Sequence, residues 1–322
     1  MMEKRDVVAL GELLIDFTDC GMSDRGNPLF EANPGGAPCN VLSMLQNLGN
    51  DTAFIGKVGA DFFGKMLKDR IEKQGIDATF LYEDKDIPTT LAFVNKLPNG
   101  DRDFSFYRKP GADMMLTAEE VEKASCIFES ARLFHFGTLS MTNEPSKSAT
   151  KVAVEIAKKN NLLISFDPNY REPLWNSVEE AIEAMKYGFE VCDILKISDN
   201  EVTLFTGEND VRKGAKKIRD EYGIEVVFAT LGAEGSIAFC GDMEVKMPGY
   251  RNPKTIETTG AGDTFCACAI DFILKHGMED MKEEDLKECL DFANAAASII
   301  TTRKGALSVM PAKEEIMALC SV

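Results

Sequence analysis

Residues 256–265 read IETTGAGDTF, and the run that continues from Phe265 to Gly277, FCACAIDFILKHG, is apolar with a helical rhythm. Phe265, Ala269, Phe272 and Ile273 fall on one helical face, and Gly277 closes the segment. The turn Gly260-Ala261-Gly262 therefore stands at a helix N-terminus. There the first backbone N–H groups lack intrahelical partners and the helix dipole adds partial positive charge. Glycine lets the backbone approach a bound anion closely. Asp263, in the first turn, falls beside whatever the turn holds. That setting favours the ionised carboxylate, so its pKa is expected to fall. A low-pKa base still serves phosphoryl transfer, where the acceptor proton can leave late from a loose transition state. An N-terminal cap is the other reading of the same pattern, because aspartate and glycine are common there. The local spacing leaves both readings open.

Working outward, short β-type runs alternate with helical patterns. DVVALGE, TAFIGKV, NLLISFD, CDILKIS and IEVVFATLG read as strands. PCNVLSMLQNLG and DFFGKMLKDRIEKQG read as helices ending at Gly49 and Gly75. This alternation predicts an α/β fold with a mostly parallel sheet covered by helices on both faces. No repeat or linker divides the 322 residues, which predicts one domain over 1–322. Two segments, about 14–33 and 88–108, break the alternation, and Asn99-Gly100 within the second signals a tight hairpin. Such β-structure outside an α/β core reads as a lid over a site, with a plain surface hairpin as the other reading.

Hydrophobic residues make up 44% of the chain, enough for a large core, and the net charge is −17. That charge argues against a nucleic-acid backbone or an anionic membrane as partner. No apolar run is long enough to span a bilayer and no signal peptide is evident. Nine scattered cysteines suit a reducing cytoplasm, where they act as small core residues. With two histidines and no Cys/His spacing, a zinc site is not expected. Gly59–Met66, GADFFGKM, nearly matches a P-loop, but Met66 has no hydroxyl for magnesium; the stretch is expected to shape a ligand pocket instead.

Taken together, TTGAGDTF (258–265) resembles the C-terminal signature of the ribokinase-like carbohydrate kinases, the PfkB family, and NPGGAPCNVLSMLQNLG (33–49) resembles its N-terminal signature. GKVGADFFG, YRKPGADMML, FDPNYREPLW, LKISDNEV and TLGAEGS lie between them in the family's order, so the resemblance covers nearly the whole chain. It implies a ribokinase-like fold with a small β-sheet lid, and transfer of the ATP γ-phosphoryl group to a primary sugar hydroxyl with Mg²⁺. By the same resemblance Asp263 is the base and Gly260, Ala261 and Gly262 the anion hole. Gly35, Gly36, Asn40 and Asp16 match sugar-contacting positions. Asn40 offers both a donor and an acceptor to hydroxyls. Ser198 and Glu201 occupy an Asn-x-x-Glu motif that organises magnesium through water, with serine in place of asparagine. Thr230, Gly232 and Gly235 match the nucleotide-side loop, and Asn294 an adenine-side residue. The loop pair at 257–259 and 301–309 binds a monovalent cation in many members, which implies K⁺, although Glu257 stands where aspartate is usual.

The motif set looks most like the fructokinase branch, implying D-fructose as substrate and fructose 6-phosphate as product. Arg108, at the end of the lid, is expected to reach the sugar. It would serve 2-keto-3-deoxygluconate equally well through a bidentate carboxylate pair. Ribokinase, nucleoside kinase and a non-catalytic sugar-responsive regulator are the remaining readings. Asp167 and Arg171 are expected to form a structural ion pair outside the site. Family members commonly pair their lids, so a homodimer through the lid is expected.

Overall fold

The computed structural model describes residues 5–96, 102–279 and 281–320. Thirteen strands are seen among them: β1 Val7–Leu10, β2 Leu14–Met22, β3 Pro28–Gly35, β4 Thr52–Gly59, β5 Asp77–Asp84, β6 Leu91–Lys96, β7 Arg102–Tyr107, β8 Leu133–Gly137, β9 Leu163–Asp167, β10 Ile194–Ser198, β11 Val226–Thr230, β12 Ser236–Cys240 and β13 Met243–Met247. The helices are α1 Ala37–Asn47, α2 Phe62–Lys73, α3 Ala118–Lys123, α4 Ser125–Phe128, α5 Ser146–Lys159, α6 Val178–Val191, α7 Asp199–Thr206, α8 Val211–Tyr222, α9 Ala261–His276, α10 Glu283–Ile300 and α11 Lys313–Met317.

Nine of these strands form one sheet in the order β13-β12-β11-β10-β9-β8-β1-β4-β5. It is parallel from β11 to β5. Strand β1 shows why both faces need cover. Val7 and Ala9 enter a core with α1, α9 and α10, while Val8 and Leu10 enter the opposite core with α5 and α6. Continuous apolar strands of this kind are what a two-sided parallel sheet requires.

The antiparallel edge β12–β13 and the strands β5 and β8 were not among the sequence-predicted elements. In the edge hairpin, Gly241 and Asp242 separate the apolar run SIAFC from the alternating run MEVKM, a turn signal that was legible.

A separate sheet of four strands, in the order β3-β2-β6-β7, is drawn from the two segments that broke the alternation. Its strands alternate, so Asp16, Thr18, Asn33, Val94 and Phe106 face a cleft. Phe17, Phe93, Phe30 and Tyr107 form a ladder of ring contacts on the other face. The Asn99-Gly100 turn lies outside the described residues.

The parallel strands deliver their carboxyl ends to one edge. Gly137 pairs with Asp167, and Ser198 with Thr230, at the ends of their ladders. Ligand sites of open parallel sheets lie beyond this edge, and the four-stranded sheet overhangs it. Helix α9 supplies the third wall. Its residues from Asp263 to Leu274 are all buried, so its N-terminal turn rests on a rigid base.

Candidate active site

Gly260 caps α9 with φ 76°, a left-handed conformation that favours glycine. A side chain there would also overlap Ala306. A Cβ on Gly262 would lie 3.0 Å from the Lys196 Nζ, which places that ammonium group against the turn. Asp263 follows, buried, and accepts a hydrogen bond from Asn40 Nδ2 at 2.7 Å. Asn40 sits in the first turn of α1, whose start is set by Gly36 at φ 125° and by Pro38. The Asn40 Oδ1 is buried without a partner among the described residues. An unpaired buried acceptor costs ~1–3 kcal/mol and marks a place that a ligand donor would complete.

A cleft of about 550 Å³ opens over these groups. Its walls carry six carboxylates, Glu12, Asp16, Asp199, Glu201, Glu257 and Asp263, with Lys196 and Arg171 as cationic counterparts. Burial raises Asp263 above the usual carboxylate range, against the hydrogen bond from Asn40 and the charges of Lys196 and Arg171. This reverses the expectation of a lowered pKa: desolvation outweighs the favourable neighbours at this depth. Asp16 is pushed up to about 7, first by burial, with Arg171 opposing and Glu257 and Asp263 adding repulsion. Gly35 does not line the cleft; it backs the Asp16 carboxylate so closely that any Cβ would collide with it. Glu12, also on the cleft wall, is pushed up to about 7 by burial, although it accepts a hydrogen bond from Ala37 N–H at 2.8 Å.

Ser198 and Glu201 form a capping box at the start of α7. The Glu201 Oε2 accepts from the Ser198 N–H at 2.8 Å and from its hydroxyl at 2.7 Å, and Oε1 accepts from the Tyr170 N–H at 2.7 Å. With both oxygens engaged, Glu201 suits a cation that keeps its own waters, as magnesium does. Glu257 accepts from the Gly305 N–H at 2.9 Å, joining the two loops named above for a monovalent cation.

A second, more apolar pocket of about 340 Å³ adjoins the cleft, and Thr230, Gly232, Thr258 and Gly262 line both. The glycine turn of α9 is thus the meeting point of two cavities. Gly235, Ala261 and Asn294 line the second pocket. Gly235 has φ 104° and packs against the Met247 carbonyl, leaving no room for a side chain. The Asn294 amide is occupied on both ends, by the Ser236 hydroxyl at 3.0 Å and the Pro248 carbonyl at 3.3 Å.

The model of the pfkB family of carbohydrate kinases matches residues 4–313. The chain belongs to this family. A Solanum lycopersicum protein named Fructokinase-2 is 38% identical over 97% of this chain and 95% of its own length. A Vibrio cholerae O395 fructokinase variant, solved with fructose, ADP and a potassium ion, superposes with a TM-score of 0.87 at 26% identity, covering 100% of both chains. A putative Ribokinase II from E. coli in complex with ATP and Mg²⁺ gives a TM-score of 0.85 at 27% identity over 98% of each chain.

In this carbohydrate kinase the structure gathers most of the sequence-predicted residues and relocates some. Arg108 is not in the cleft. Its guanidinium is buried and engaged by Asp113, Thr142 and the Leu139 carbonyl. Asp167 pairs with Lys196 at 3.0 Å rather than with Arg171, which lines the cleft instead. The near P-loop, expected to shape a ligand pocket, lines no part of the cleft: Asp61 caps α2 through the Gly64 N–H and accepts from the Thr89 N–H and hydroxyl just before β6. Sequence reasoning passed over Lys196 and Glu12. A lysine inside the apolar strand ILKIS was the available signal for the first; nothing local marked the second.

Proposed function

We propose that this kinase transfers the γ-phosphoryl group of ATP to the primary hydroxyl of D-fructose, giving fructose 6-phosphate. The observation that carries the reading is the junction of two cavities at the turn Gly260–Gly262, with Asp263 and its Asn40 partner on the cleft side. The cleft takes the sugar, the second pocket takes the nucleotide, and the turn holds the phosphates between them. Asp263 accepts the hydroxyl proton, while the α9 N–H groups and Lys196 stabilise charge on the transferring group. Asp16 and Asn40 orient the sugar. Mg²⁺, held through water by Glu201, would offset phosphate charge. The joined loops at Glu257 and Gly305 support a K⁺ site beside the turn.

The ring of carboxylates favours a neutral sugar over 2-keto-3-deoxygluconate, whose own carboxylate would be repelled. Arg108, the residue that would have welcomed that acid, is engaged elsewhere. The test is a coupled ADP-release screen over fructose, 2-keto-3-deoxygluconate, ribose, tagatose and adenosine. Fructose should give the highest kcat/KM. A preference of about tenfold for the keto acid, ~1.4 kcal/mol in transition-state binding, overturns the substrate assignment.

The chain is read as one kinase domain with an inserted lid. The outer lid face supports a homodimer: Tyr107 is 67% exposed and Met22 68%, beside the aromatic ladder. Light scattering at micromolar concentration tests this, and a monomer refutes it. Nine free cysteines, most of them buried, support a cytoplasmic setting. Among the described residues no helix is long and apolar enough to cross a membrane.

A further inference from the structure

Arg108 and Asp113 form an ion pair of 2.7 Å whose side chains are each 2% exposed. The other Asp113 oxygen accepts from the Thr90 hydroxyl. Arg108 Nη1 donates to the Thr142 hydroxyl at 2.9 Å, and Nη2 donates to the Leu139 carbonyl at 3.0 Å. Thr90 immediately precedes β6 and Arg108 immediately follows β7, so the pair grips both roots of one lid hairpin. Leu139 and Thr142 belong to the main body beyond β8, and Leu139 lines the cleft. The Thr90 carbonyl also accepts from the Ile15 N–H at 3.2 Å, which ties the neighbour of Asp16 to the same point.

Gly111 carries an independent mark of the same cluster. Its φ of −105° is open to any residue, yet a Cβ there would collide with the Thr90 hydroxyl and come within 2.9 Å of Asp113 Oδ1. Space alone therefore requires glycine. A buried ion pair is weak evidence for stability, because apolar residues of similar volume often replace one without loss. Its value here is geometric.

We infer that Arg108, Asp113 and Thr90 are positioning residues that lock the lid hairpin to the body and so set Asp16 over the acceptor sugar, without touching the sugar themselves. The inference rests on the reading of the cleft as the sugar site. In-line transfer is sensitive to displacements of about 1 Å, so a loosened lid root is felt at the reacting hydroxyl. A lid held loosely would also admit water as a competing acceptor.

Three variants test this while keeping the fold in view. Gly111→Ala crowds the cluster without removing a charge. Thr142→Val removes one acceptor of the guanidinium. The double variant Arg108→Met with Asp113→Leu removes both charges at similar volume. Each is purified, its melting temperature recorded, and KM measured for fructose and for ATP, with ADP released per sugar phosphate formed. Fructose KM should rise about tenfold or more, ~1.4 kcal/mol, with ATP KM within about twofold and more ADP per sugar phosphate. Folded variants with unchanged fructose KM and unchanged ADP ratio overturn the inference. So does a defect confined to the variant lacking Arg108, which would restore direct contact with the sugar. Asn40→Ala is the control: if it leaves fructose KM unmoved, the cleft reading fails, and this inference with it.

Discussion

Asn40 and Asp263 meet at 2.7 Å although 223 positions separate them in the chain. The contact joins the first turns of α1 and α9, so the two signatures of the family converge on one carboxylate. It also divides labour. Asn40 donates to one Asp263 oxygen, and its own side-chain carbonyl is buried without a partner among the described residues, which is the arrangement the proposed roles of the two residues require.

Asp263→Asn should lower kcat on the order of 10²–10⁴-fold with a modest change in fructose KM, since it removes the base and keeps the shape. Asn40→Ala should instead weaken fructose use by roughly 1–3 kcal/mol. Steady-state kinetics with both substrates varied separates the two. Near-normal turnover of Asp263→Asn would remove that residue from the role of base.

A second expectation concerns pH. In the proposed sugar-binding role Asp16 accepts from hydroxyls more strongly when ionised than when protonated, and its pKa is raised to about 7. The kcat/KM for fructose should therefore climb as pH rises through about 7, and Asp16→Asn should flatten that limb. Stability runs the other way. A carboxyl raised above its unfolded value near 3.8 favours the folded state fully below that value and loses the contribution as pH approaches 7. Asp16→Asn should reduce the fall in unfolding free energy across this window, measured by denaturant titration. An unchanged profile would place the titrating group elsewhere, with Glu12 the next to test.

Lys196 is buried, pairs with Asp167 and lies against the α9 turn. Lys196→Gln should destabilise the protein by about 3–5 kcal/mol, because Asp167 is left as an unpaired buried charge. Adding Asp167→Asn should recover much of that loss. Turnover should stay depressed in the double variant, by roughly 10²-fold, if the ammonium stabilises the transferring group. Recovery of both stability and turnover would make Lys196 purely structural.

Asn294→Ala breaks the links from α10 to Ser236 and to Pro248. The unpaired groups should cost about 1–3 kcal/mol of stability. ATP KM should rise while fructose KM holds, because Asn294 lines the second pocket and not the cleft. A change in fructose KM alone would exchange the two ends of the site.

The sequence by itself determined what short spacing and backbone preference control. The glycine turn and helix of 260–277, the strand–helix alternation, and the Ser198–Glu201 pair all depend on residues within a few positions of one another. The two carbohydrate-kinase signatures are likewise local strings. What the fold decided is burial and partnership between distant residues. Asp263 was expected to titrate low from its helix position, yet the depth created by α1 and the sheet raises it. Arg108 lies outside the cleft and Arg171 lines it, because a guanidinium goes where buried acceptors converge, and for Arg108 these come from Asp113, Leu139 and Thr142. Lys196 became part of the site only when strand order set its ammonium beside α9. Charge, desolvation and hydrogen-bond partners are properties of the packed neighbourhood, and no window of sequence contains that neighbourhood.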